Sequence, residues 1–230
     1  MELNVKTLYL VGGIVMTCGA GAALLTWYHH RDAPGLRAWA AALLLSSLGA
    51  LILRFPDAAS STWIVLASNA VIVAGFGILW VGVRQFNEDG LNVRRALLLV
   101  AAVVVAYLAI CGVAQSVGAG RNAASMPFSL FLGLLSSAAA YEVWQGRRRD
   151  GLTTRLPTAL ALAGLGLARL VRAATLALQS AEWLPPGQVA EFHPYTLYAT
   201  IVFVLATTYG LVLMANESAV RRDAELFAGR

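Results

Sequence analysis

Seven times between Thr7 and Met214 the chain runs for roughly 18 residues or more with almost no charge, and each run is long enough, at about 1.5 Å per helical residue, to cross about 30 Å of hydrocarbon. The runs cover about Thr7 to Tyr28, Leu36 to Leu53, Thr62 to Val83, Ala96 to Ala114, Pro127 to Trp144, Leu156 to Leu178 and Tyr195 to Met214. They lack the alternation of a membrane β-barrel. The prediction is an all-α bundle of seven transmembrane helices. Composition agrees: 13% of residues are charged, against about 25% in soluble domains. The first run has neither a basic leader nor a small-residue cleavage site, so it reads as a retained helix. Breakers such as "RDAPG" (Arg31 to Gly35), "NEDG" (Asn87 to Gly90) and "PPG" (Pro185 to Gly187) separate the runs. The connections are short, which makes successive helices antiparallel neighbours.

Cytoplasmic loops retain Lys and Arg. One side of the predicted bundle holds Arg31, Arg37, Arg84, Arg94, Arg95, Arg147, Arg148, Arg149, Arg155, Arg221, Arg222 and Arg230, and the other holds Lys6, Arg54 and Arg121. The expected N-terminus is outside and the C-terminus cytoplasmic. Tryptophans fall near the predicted helix ends, Trp27, Trp39, Trp80 and Trp144 on the inner side and Trp63 and Trp183 on the outer, as interfacial indoles do. The net charge of +5 follows this topology and implies no nucleic-acid partner. Cys18 and Cys111 fall inside apolar runs and read as core residues.

The sixth run, "ALAGLGLARLVRAATLAL", carries Arg169 and Arg172 in its outer half, on one face by their i, i+3 spacing. A charge at mid-membrane costs about 2.5 to 3.5 kcal/mol on insertion scales and normally has a partner. Glu142, the one acid inside a predicted span, sits near the opposite, inner end. Two readings stay open. Arg172 can snorkel to headgroups while Arg169 binds backbone carbonyls, or both can bind the acidic head of an amphiphilic or aromatic small molecule. Asn69 and Tyr107 at comparable depth, with Ser129 and Tyr198 nearer the outer mouth, are expected to line such a cavity. Asn69 also fits an interhelical hydrogen bond. Gly75, Gly77, Gly82, Gly164 and Gly166 are expected at close helix contacts.

Several chemistries are excluded by residue placement. Lys6, the single lysine, lies in the outer tail, so a retinal Schiff base in the last helix is impossible. His29 and His30 adjoin the inner edge while His193 is expected on an outer loop, so they cannot share a haem iron, and no metal or other cofactor is expected. Asp32, Asp57, Asp89, Asp150 and Asp223 lie outside the spans, which removes an intramembrane aspartyl protease. Neither a nucleophile elbow, a phosphate loop nor HExxH occurs.

After Met214 no breaker appears before Gly229, so the last helix should continue as a cytoplasmic linker over 215–230, beyond a sensor domain of 1–214. Leu213, Val220, Ala224 and Phe227 recur at a and d spacings, a seam for pairing with a second chain. The stretches "LRAWAAALLLSSLGALIL", "LASNAVIVAGFGILWVGVRQF", "LARLVRA" and "TYGLVLMANE" make the chain resemble the seven-helix membrane sensor regions that precede GGDEF diguanylate cyclase domains in Gram-negative bacteria. The resemblance implies a final helix leading into a cyclase active as a face-to-face dimer, hence a homodimer in the inner membrane surrounded by lipids. These residues contain no GGDEF stretch, so the expectation is either a sensor module cut from a longer protein or a different output domain, such as a histidine kinase. A small-molecule transporter and a structural membrane subunit are the rival functions. No convincing internal repeat supports the transporter, and Pro127 and Pro157 are expected at helix starts, where proline is tolerated.

Overall fold

The computed structural model describes residues 5–31, 35–53, 55, 61–87, 92–116 and 122–228. Arg54, Arg121, Arg230, Asp32, Asp57 and Asp89, and the side chains of Lys6, Asp223 and Phe227, lie outside the described residues. The described residues form seven helices: α1 (Val5–His29), α2 (Leu36–Ile52), α3 (Thr62–Asn87), α4 (Val93–Ser116), α5 (Asn122–Asp150), α6 (Arg155–Ser180) and α7 (Pro186–Ala228). All but α2 are long and apolar enough to cross a membrane. The 17 residues of α2 reach about 26 Å, slightly under a bilayer core. The protein is therefore built as a multi-pass, all-helical membrane bundle.

Six helices close a ring in the order α1, α2, α3, α5, α6, α7, and α4 packs outside it against α3 and α5. The outer position of α4 explains its composition. Leu97, Leu98, Val105 and Val113 are each more than 60% exposed, which suits acyl chains and not a core. Inside the ring, small residues let backbones meet. A methyl group on Gly75 of α3 would come within 2.8 Å of the Ala42 carbonyl oxygen on α2. Polar contacts add to that packing: the Ser47 hydroxyl of α2 donates to the Gly13 carbonyl of α1 at 2.8 Å and lies 2.7 Å from the Thr17 hydroxyl.

Four local expectations change. Pro127 falls in the second turn of α5, because Asn122–Met126 join the helix ahead of it, whereas Pro157 does sit in the first turn of α6. The last helix begins at Pro186, nine residues before the apolar run, since Pro is preorganised for a helix's first position. That extension makes His193 helical instead of a loop residue. Trp39 is 1% exposed and packs on Phe86 at 5.5 Å, so it is a core residue and not an interfacial indole. Cys111 is buried as expected, but Cys18 is exposed on the outer face of α1.

Candidate functional site

Polar side chains inside the ring gather into two groups, one toward each end of α6. Toward its C-terminal part lie Arg169 and Arg172. Arg169 is buried at 6% exposure, and among the described residues the Phe128 ring of α5 stands against it, 5.7 Å from the guanidinium carbon. Its Nε has no hydrogen-bond partner. Neither arginine forms an ion pair with any described residue. The helical period turns Arg172 toward the same side, where Tyr9 of α1 and His193 of α7 lie within electrostatic range of both arginines. His193 is half-buried, and its Nδ1 likewise lacks a hydrogen-bond partner. Four helices thus meet here: α1, α5, α6 and α7.

The other residues expected to line a ligand cavity are distributed differently. Tyr107 is fully buried and Asn69 nearly so, both in the contact between α3 and α4. There the phenol approaches Asn69 and Cys111 and stands edge-on to Phe131 at 5.8 Å, its hydroxyl without a well-formed hydrogen bond. This pair adjoins the arginine group through α5 instead of joining it. Ser129 is fully buried and its hydroxyl is occupied by the Ser125 carbonyl one turn back, at 3.0 Å. Tyr198 is 55% exposed. Tyr9, Phe128 and His193 were not anticipated. Hydropathy starts the last helix too late to place His193 in the bundle, and "PPG" read as a helix start would have found it. Nothing in the spacing points to Tyr9 or Phe128, which reach the site only because α1 and α5 flank α6 and α7 in the ring.

The second group surrounds the first residue of α6. Arg155, expected in a solvated basic loop, is 2% exposed. Its Nε donates to both carboxylate oxygens of Asp150, at 2.9 and 3.0 Å, and Nη2 donates to one of them. Nη1 donates to the Asn87 side-chain oxygen at 2.7 Å, and the Phe86 ring lies 5.3 Å from the guanidinium carbon. Asn87 in turn donates to the Glu142 carbonyl at 2.8 Å, while the Glu142 carboxylate pairs with Arg84 at 3.5 Å. Gly146 is required: a Cβ there would occupy the space of the Arg155 guanidinium.

This group also grips α7. The Glu217 carboxylate accepts hydrogen bonds from the backbone N–H groups of Thr153 and Thr154, at 2.9 and 3.0 Å, and from both threonine hydroxyls, at 3.1 and 2.7 Å. These amides belong to the N-cap Thr154 and the residue before it, at the start of α6, where the helix dipole favours a negative group. Arg221, one turn further along α7, donates to the carbonyl oxygens of Asp150 and Gly151 at 2.8 and 3.1 Å. The turn joining α5 to α6 is thereby latched to α7.

One helix links the two groups. α7 stays helical through its internal Pro194, and about 42 Å of its rise separates His193 at the arginine group from Arg221 at the latch, with Glu217 one turn before it. Midway, a cavity of about 20 Å³ opens beside it, lined by Met16, Ser46, Gly75, Leu165, Thr207 and Thr208 among others. That is room for about one water. Leu213 of the expected seam is half-buried against the bundle, Val220 and Ala224 are exposed, and the Phe227 side chain is outside the described residues. No known protein family, curated protein or solved structure matches this chain.

Proposed function

We propose that the protein is a membrane-embedded sensory domain. A small anionic or amphiphilic ligand binds in the outer half beside Arg169 and Arg172, and the signal travels along α7 to a cytoplasmic output. The observation that carries this reading is the course of α7, which stays helical from His193, near the cationic group on α6, to a hydrogen-bonded latch. The positive-inside rule supports a cytoplasmic latch end, with Arg84, Arg155 and Arg221, and an outside N-terminus, and the resemblance supports a bacterial inner membrane. The resemblance to sensor regions that precede GGDEF domains makes a diguanylate cyclase the favoured output. Its dimeric action would employ the seam of Leu213, Val220, Ala224 and Phe227, and the exposure of Val220 and Ala224 on α7 suits a second chain. A ligand biases such a device only by its differential affinity for two arrangements of α6 and α7. A transporter, the main rival, calls for helices broken at its site, whereas α6 runs past the arginines with no internal break and α7 stays helical through Pro194.

The test is disulfide crosslinking in membranes of a single cysteine at Val220, after replacing the exposed Cys18. The expected result is a crosslinked dimer whose yield changes when ligand is added. Absence of a dimer in every state, or a C-terminal reporter fusion that reads as periplasmic, would defeat the reading.

A further inference from the structure

We propose that Arg169, Arg172 and His193 form a site for a single oxyanion, a carboxylate or a phosphate, held between α6 and α7. The proposal deepens the sensor reading by naming the chemistry of the site; it rests on that reading for the consequence of binding and not for its occurrence.

The argument begins from what a guanidinium requires. Arginine stays charged in proteins and offers five N–H donors with no acceptor of its own. Buried, it needs oxygen atoms around it, as Arg155 on the same helix demonstrates with Asp150 and Asn87. Arg169 has equal burial and no such oxygen: the Phe128 ring contacts it, and its Nε is orphaned. A second cation, Arg172, lies one turn away, so each raises the cost of the other, and no described carboxylate is placed to relieve either. On the facing helix the Nδ1 of His193 is also buried and unpartnered. Two buried nitrogens without a partner, Arg169 Nε and His193 Nδ1, on two helices and with the Arg172 cation within electrostatic range, describe an anion site that no described carboxylate fills. Guanidinium forks match the paired oxygens of a carboxylate or phosphate better than a spherical halide. His193 gives the site its link to α7, because an anion bound there contacts both helices at once.

The oxyanion can come from a phospholipid headgroup or from a free solute, and three probes separate these sources. The purified full chain in neutral detergent is titrated with inorganic phosphate at constant ionic strength, with octanoate, and with a short-chain phosphatidylglycerol, while thermal unfolding is followed. Chloride and a phosphate-free neutral diacylglycerol of the same chain length serve as controls. At least one probe should raise Tm in a saturable way. Stabilisation by phosphatidylglycerol alone makes the occupant a lipid headgroup, and stabilisation by phosphate or octanoate makes it a solute. R169Q and R172Q should each weaken the effective probe at least tenfold and H193A severalfold, with Y198F unchanged. R169M should fold and, without any probe, melt no lower than wild type, which guards against mistaking a folding defect for lost binding. No saturable stabilisation by any probe beyond the controls, or undiminished stabilisation in R169Q and R172Q, would overturn the proposal. Binding without any change in Val220 crosslinking would leave the site standing and remove the sensor reading instead.

Discussion

Arg155 and Arg169 lie on one helix about four turns apart, on nearly the same face, and are almost equally buried at 2% and 6% exposure. Their surroundings differ completely. Arg155 is embraced by a carboxylate, an amide oxygen and an aromatic ring, all drawn from neighbouring ends of α3 and α5. Arg169 meets a ring and another cation. The contrast teaches that burial of charge is not itself a mark of function. A buried arginine whose donors are used is architecture, and one whose donors are idle among the described residues is where a ligand is to be sought.

The sharpest way to break the comparison is to make the same substitution at both positions. R155M strands Asp150 and Asn87 and should lower stability by about 3 kcal/mol, read by thermal unfolding in detergent. R169M removes an uncompensated cation and should raise ligand-free stability by as much as about 2 kcal/mol in the same measurement. If both variants lose stability alike, Arg169 has partners and the contrast collapses.

Smaller effects sharpen the description of the latch. G146A places a methyl where the Arg155 guanidinium lies and should cost about 2 kcal/mol by forcing that side chain to shift. E217Q keeps the shape but removes the charge facing the α6 amides. It should cost about 1 kcal/mol and speed hydrogen exchange at Thr153 and Thr154 more than elsewhere. Unchanged exchange at those two amides would show that the turn does not depend on α7.

The helices were legible because each apolar run exceeds what any soluble element needs, and the prolongation of the last helix followed from the absence of a breaker after Met214. Arg169 stood out for the same reason, a cation surrounded by leucine and alanine. Its neighbours did not, since hydropathy registers length and polarity but not which helix adjoins which. Ser129 and Asn69 sit at suitable depth, yet one hydroxyl is consumed by its own helix and the other side chain belongs to the contact between α3 and α4. Arg155 shows the opposite failure. A loop arginine beside three others at positions 147–149 reads as solvated, and nothing in the order of residues announces that Asp150 and Asn87 will close around it.

What the residues determined alone is therefore one-dimensional: where the chain can lie in hydrocarbon, where it cannot, and which cation has no acid within its own run. Tertiary structure decided which charges are satisfied, because a hydrogen bond depends on angstrom-scale placement of groups far apart in sequence. The ring order brings Asn87 to Arg155 and Thr153 to Glu217, and it brings Tyr9 and His193 near Arg169 without bringing a described carboxylate.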